Sequence, residues 1–77
     1  MALIFYRGHT IVSSAIYDSR SGQWKLNASI SRQGNGGVEP IQLLNHSAEI
    51  FSRFEDAETA GIEYSKDWVD DLVNRVL

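Results

Sequence analysis

The feature that most constrains the fold is a strict alternation of apolar and polar side chains between Gln23 and Arg32. One set of alternate positions is apolar: Trp24, Leu26, Ala28 and Ile30. Because successive side chains of a strand point to opposite faces, this period of two predicts a β-strand with one buried face and one solvated face. A strand of this kind needs neighbours, so the chain must build a sheet.

The segments on either side of this strand supply those neighbours. A cluster of turn-forming residues at 18–22 precedes it, which predicts that His9–Tyr17 is its antiparallel hairpin partner. Apolar residues occur at both sets of alternate positions in His9–Tyr17, so the sequence leaves its register open. Arg7 and Gly8 form another turn signal, and they separate this strand from a first strand at Leu3–Tyr6.

After the central strand, the glycine-rich segment 33–37 predicts a flexible hairpin loop, and Val38–Leu44 follows as an edge strand. Pro40 supports the edge position because proline cannot donate to a central ladder. We expect residues 45–51 to form a connecting loop, with Ile50 and Phe51 as its buried anchors.

From Ser52 the apolar period becomes that of a helix. Ser52 and Glu55 have the spacing of a capping box, and the helix is predicted from Arg53 to about Arg75. Its apolar stripe consists of Phe54, Ala57, Gly61, Tyr64, Trp68 and Leu72. We expect Gly61 to allow a close approach of the helix to the sheet, under Trp24. The predicted fold is a single α+β domain over residues 1–77, a three- or four-stranded antiparallel sheet packed on one long C-terminal helix.

Composition and charge narrow the classes of function. The chain has no cysteine, which excludes disulfide scaffolds, thiolate metal sites and thiol nucleophiles. The net charge is −3, and residues 52–77 hold seven acidic residues against three basic ones, so the acidity belongs to the helix. This balance disfavours nucleic-acid binding. The first residues lack a basic segment and a long apolar run, which predicts a cytoplasmic protein without membrane association.

Candidate catalytic groups do not form a recognisable constellation. His9 and His46 lack companions at metal-ligand spacing, and the serines lack a nucleophile-elbow context. The glycine-rich loop lacks the lysine and the following helix of a phosphate-binding loop. We therefore expect no enzyme activity, no catalytic or metal-binding residue, no cofactor and no small-molecule substrate.

Two segments of the chain carry one set of recognisable residues. The set runs from Tyr6 to Ile11, continues with Tyr17, Asp18, Gly22 and Trp24, and resumes at Phe54–Glu58 with Gly61 and Trp68–Asp70. It resembles a family of small bacterial proteins that has no assigned activity. The resemblance implies a stand-alone domain of a β-sheet followed by a helix. The order of elements is also similar to the AP2-type and integrase-arm DNA-binding modules, whose sheet enters the major groove. Their reading face is rich in arginine, a feature that this chain lacks.

Two hypotheses of function follow. The first is a non-enzymatic protein-interaction or regulatory module that contacts another protein or a second copy of itself. For self-association the candidate residues lie where the helix is expected to overhang the sheet: Val69, Leu72, Val73 and Val76. The alternative is a nucleic-acid-binding module that uses the polar sheet face, with Arg20, Lys25, Asn27 and Arg32 as contacts.

Overall fold

The chain forms a four-stranded antiparallel sheet and one helix. A computed structural model describes residues 1–34, 36–45 and 49–76, without the side chain of Val76. The elements are β1 (Ala2–Tyr6), β2 (His9–Asp18), β3 (Gln23–Gly34), β4 (Gly37–Leu44) and α1 (Phe54–Val76). The strands lie in the order β1-β2-β3-β4, each antiparallel to the next. The predicted α+β fold is confirmed, with four strands. His46 lies outside the described residues.

The turn between β1 and β2 has two residues, and both have a positive φ. Arg7 has φ 48° and Gly8 has φ 80°, the combination of a type I′ turn, whose twist matches that of the flanking strands. Glycine adopts this conformation without steric cost, whereas arginine does so rarely. The turn places Tyr6 opposite His9 and fixes the register of the whole hairpin.

The register of β2, which the sequence leaves open, follows from its pairing with β3. Ile11 lies opposite Ile30, Ser13 opposite Ala28, and Ala15 opposite Leu26. These residues share the inner face of the sheet, the face that α1 covers. The core on this face consists of Ile11, Leu26, Ala28, Ile30 and Leu44 from the strands, with Ala57 and Val69 from the helix.

The helix packs mainly on β2 and β3 along a line of residues four apart. Ala57, Gly61, Ser65 and Val69 are the buried residues of α1. The predicted stripe is correct at Ala57 and Gly61. Tyr64 and Trp68 also pack against the core, but they are half-buried and flank this line. Small side chains on the line let the helix approach the sheet closely, as in other helix packings.

The close approach at Gly61 occurs at Ser13 and Ala28, so its predicted position under Trp24 is wrong. A β-carbon added at Gly61 would lie 2.3 Å from the Ser13 hydroxyl oxygen and 3.4 Å from the Ala28 β-carbon. Trp24 lies farther along the sheet, where its ring makes edge contacts with Tyr17 and Phe54 at centroid distances of 5.1 and 5.3 Å.

The start of the helix also differs from the prediction. The carbonyl of Arg53 accepts the first helical hydrogen bond, from the Ala57 N–H at 3.3 Å. Arg53 is therefore the N-cap, one residue after the predicted Ser52, and Glu55 lies 3.6 Å from the Arg53 guanidinium.

Of the two predicted loop anchors, Phe51 pairs with Trp24 through two main-chain hydrogen bonds. Ile50 is half exposed, so its predicted burial is wrong.

The predicted overhang of the helix end is wrong at Val69 and Val73. The prediction takes the domain as compact, about 30 Å across, whereas the molecule is elongated, 41 Å in its longest dimension. Val69 is fully buried among core residues of the sheet, and Val73 packs against the same core.

Candidate interaction surface

The face of the sheet opposite α1 is the candidate site, and we call it the outer face. Residues that lie opposite one another in neighbouring strands share a face. One row across the outer face is therefore Leu3, Val12, Ser29 and Leu43, and the next row is Phe5, Thr10, Ser31 and Pro40. Asn27 lies opposite Ser14, and Lys25 lies opposite Ile16, which extends this face toward the other end of the molecule.

The outer face exposes large apolar side chains at both of its edges. Phe5 on β1 is 79% exposed and Leu43 on β4 is 64% exposed. Leu3, Ile16 and Val38 are also exposed, and hydroxyl-bearing residues occupy much of the middle of the sheet. Contiguous apolar patches on a small domain commonly mark a contact with another molecule.

Charge on the outer face is scarce. The Lys25 ammonium lies 3.7 Å from the carboxylate of Asp18. The main-chain N–H of Arg20 donates to Asp18 at 3.1 Å, and this bond, with smaller contributions from Ser21 and Lys25, holds the pKa of Asp18 below its usual range. The pair leaves this part of the face close to neutral. A partner that fits this part of the face would contact it through apolar and hydroxyl groups more than through charged groups.

The structure brings together only two of the four candidate nucleic-acid contacts. Lys25 and Asn27 are neighbours on the outer face. Arg20 lies in the exposed turn between β2 and β3. Arg32 lies opposite His9 and Glu39, on the inner side of the sheet, and its guanidinium pairs with Glu39 at 3.3 Å. The four residues therefore do not form one basic stripe.

Two of the candidate self-association residues at the helix end, Val69 and Val73, face the sheet. Val69 has no exposed area, and Val73 packs on the core. Leu72 is half-buried, and the side chain of Val76 lies outside the described residues. The prediction that Val69 and Val73 belong to an exposed contact site is wrong, because their side chains fill the space between helix and sheet.

A polar cluster ties the β1–β2 turn to the end of α1. The Asp70 carboxylate accepts hydrogen bonds from the Tyr6 hydroxyl at 2.8 Å and the Arg7 guanidinium at 2.7 Å. The bonds from Arg7 and then Tyr6 lower the pKa of Asp70, whereas the bond to Asp70 raises the pKa of Tyr6. The Lys66 ammonium lies 5.6 Å from the centre of the Tyr6 ring.

This cluster predicts a dependence of stability on pH. The pKa of Asp70 is lower in the folded state than in the unfolded state, so its stabilisation is present above the unfolded pKa, near 4, and is lost as the pH falls through the folded value. We expect Asp70→Asn to lower the urea midpoint at pH 7, and the difference from wild type to shrink at pH 3. Asp71→Asn is the control, because Asp71 pairs with Arg75 within the helix. Equal differences at both pH values would contradict the assignment.

A shallow groove of about 440 Å³ lies beside the start of the helix. It is lined by Glu49, Ile50, Phe51, Ala60, Glu63 and Tyr64. The Tyr64 hydroxyl donates to Glu49, and this bond raises the pKa of Tyr64. Among the described residues no group of three or more histidine, aspartate and glutamate side chains is arranged to hold a metal ion.

Comparisons with known proteins add no assignment. No family model, curated protein or solved structure matches the chain. The resemblances given by the sequence therefore stay predictions. In the described part of the chain, α1 is too polar to cross a membrane.

The sequence alone pointed to the outer face only through β3, whose outward residues are polar. The apolar residues of this face come from β1, β2 and β4, and their common orientation follows from the register of all four strands. One signal was available beforehand. β1 consists of the five residues Ala2–Tyr6, with no charge among them, although one face of an edge strand is often solvated.

Proposed function

We propose that this protein is a non-enzymatic protein-interaction module whose contact surface is the outer face of the sheet. The observation that carries the proposal is the exposure of five large apolar side chains on that face: Leu3, Phe5, Ile16, Val38 and Leu43. No described segment of the chain covers them. Burying this area against a partner would release the free energy that its exposure to water costs the isolated chain.

The size and chemistry of the face suit a protein partner. Four strands about 4.8 Å apart, with an average length of eight to nine residues, present on the order of 500 Å² of planar area. A standard protein interface buries about 800 Å² on each side, so the outer face could supply most of a modest one. The partner surface that fits is largely uncharged, with apolar groups at its edges and polar groups at its centre.

The nucleic-acid alternative has less support. Lys25 and Asn27 share the outer face, which favours it, but Lys25 is paired with Asp18 and Arg32 lies on the inner side. Affinity for phosphates depends mostly on the number of cations that contact them. A titration of labelled oligonucleotides at low salt tests this alternative, and saturable binding that Lys25→Ala weakens would favour it over a protein partner.

Site-specific photo-crosslinking in extracts of the source cells tests the proposed function. A benzophenone side chain would replace Ile16 or Leu43, both on the outer face and outside β1, or Glu63 on the exposed side of the helix. We expect the same discrete protein adduct from Ile16 and Leu43, none from Glu63, and loss of the Ile16 adduct when Leu43→Lys is added. Equal labelling from all three positions, or from none, would contradict an outer-face contact.

A further inference from the structure

The two edge strands of the sheet are protected unequally against pairing with another chain, and β1 is the unprotected one. Edge strands of soluble proteins commonly avoid pairing with other chains by means of proline, charges or bulges. The β4 edge has all three: Pro40, the Glu39–Arg32 ion pair and a register shift opposite Ile30 and Ser31. β1 has none of them, and its pairing with β2 is regular along its whole length.

Among the described residues, the main-chain groups of β1 without a partner strand belong to the residues that expose apolar side chains. In a hairpin closed by a two-residue turn, the pair next to the turn exchanges both hydrogen bonds, and such pairs then alternate along the strands. Tyr6, Ile4 and Ala2 therefore bond to β2. The N–H and C=O groups of Leu3 and Phe5 point to the open edge, while their side chains are exposed on the outer face.

We propose that a second copy of the chain pairs with this edge, β1 against β1 in antiparallel orientation, to form a continuous eight-stranded sheet. The two-fold axis passes beside Ile4, so that Leu3 of each copy lies opposite Phe5 of the other. This register uses every outward main-chain group of Leu3 and Phe5. The pairing rests on the proposed function, because both require this protein to contact another protein molecule. It names a second copy of the chain as one such partner.

The pattern of β1 favours a second copy over an unrelated strand. The five residues Ala2–Tyr6 are nearly symmetric about Ile4, with Leu3 and Phe5 on the outer face and Ala2 and Tyr6 on the inner face. Antiparallel pairing therefore places apolar against apolar on the outer face and a small against a large side chain on the inner face. Strand addition of this kind is an established mode of recognition.

The helices of the two molecules do not oppose this arrangement. The helix lies mainly over β2 and β3, so two helices on the same side of the joined sheet would be about 19 Å apart, estimated from strands about 4.8 Å apart. Packed helices lie about 8–10 Å apart, which leaves room for both. β1 itself has no charged side chain. The register does bring the Met1 ammonium of one copy opposite Arg7 of the other, but each of these cations is paired within its own chain, with Glu58 and with Asp70.

Disulfide trapping tests the register directly, because the chain has no cysteine of its own. In the proposed dimer residue 4 faces itself at a spacing that a disulfide can bridge. In glutathione buffer we expect Ile4→Cys chains to form covalent dimers about tenfold faster than Leu43→Cys chains, whose site lies on the other edge strand. If the two variants cross-link at the same rate, the proposal is wrong.

A second cross-linking test uses two exposed positions. It therefore does not depend on substituting Ile4, whose side chain is half-buried. Leu3→Cys and Phe5→Cys chains should cross-link to each other faster than either cross-links to itself. Sedimentation should give wild-type chains a mass that rises with concentration from 8.6 kDa toward twice that value. The Leu3→Lys, Phe5→Lys double variant should stay monomeric, whereas the matched Val38→Lys, Leu43→Lys variant should dimerise as wild type does, because it leaves the β1 edge intact.

The outcomes separate this inference from the proposed function. A wild type that stays monomeric at the highest concentration would overturn the β1 pairing, and an adduct of a different protein at Ile16 and Leu43 would still support the outer-face contact. Self-association that the β4 variant abolishes and the β1 variant does not would also overturn the pairing, because it would place the contact at the other edge.

Discussion

Val69→Asp should unfold the protein. Val69 has no exposed area and packs with Ile11, Ala28, Ile30 and Leu44 in the core between helix and sheet. A carboxylate there would lose its hydration without gaining a cation, which costs several kcal/mol. A domain of this length has a stability of only a few kcal/mol. We therefore expect no cooperative thermal transition by circular dichroism at neutral pH.

Two further variants make this result specific to position 69. Val38→Asp introduces the same charge at a side chain that is 69% exposed on the outer face, and it should melt within a few degrees of wild type. Val69→Thr keeps the shape and buries a hydroxyl instead of a charge, so it should fold with a loss of about 1–3 kcal/mol. A Val69→Asp chain that melts as wild type would show that this part of the helix is exposed, as the sequence had suggested.

Val69 was predicted to be exposed although it is buried, and the reason is geometric. The predicted stripe through Phe54, Tyr64 and Trp68 follows the largest apolar side chains, and large side chains reach the core from the flanks of a helix. The line that contacts the sheet most closely holds small residues at a spacing of four, including Ser65, which a count of apolar residues passes over. Its hydroxyl donates to the Gly61 carbonyl at 2.7 Å, so it is buried without an unpaired donor.

Ser13 explains why the register of β2 stayed open. It is fully buried and donates to the main-chain carbonyl of Glu58 on the helix at 2.7 Å. Read alone, a serine amid apolar residues suggests the solvated face of a strand. Its partner lies 45 positions away, so the strand could be oriented only once the helix was placed. The strict alternation of β3 needed no such information, and its orientation was predicted correctly.

Prediction of the outer face was limited in a similar way, because it depended on how other elements of the chain are placed. In the sequence β3 is the clearest strand, and its outward residues, such as Lys25, Asn27 and Ser29, suggest a polar surface. Leu3 and Leu43 are 40 positions apart in the sequence, yet one row of the sheet joins them through Val12 and Ser29. A surface made by all four strands becomes visible only when every register is known.

Gly61→Leu should also prevent folding, because the helix lies too close to β2 and β3 to admit a side chain at position 61. A single β-carbon there would lie 2.3 Å from the Ser13 hydroxyl oxygen, well inside contact distance. In Gly61→Ala the Ser13 hydroxyl must rotate away, and its hydrogen bond to Glu58 is lost. That loss of about 1–3 kcal/mol exceeds the gain of about 1 kcal/mol in helix propensity. We expect Gly61→Ala to be destabilised and Gly61→Leu not to fold.

A double-mutant cycle with Ser13→Ala separates this steric effect from any general intolerance of the helix. Ser13→Ala removes the oxygen that blocks position 61, leaving β-carbons of Ser13 and Ala28 at 3.4 Å. In the Ser13→Ala background, Gly61→Ala should therefore cost at least about 1 kcal/mol less than in wild type, a coupling typical of residues in contact. Gly36→Ala is the control, since a β-carbon there meets no atom within 4 Å. Urea unfolding of the four chains of the cycle measures the coupling, and simple additivity would show that Ser13 and Gly61 do not share the contact.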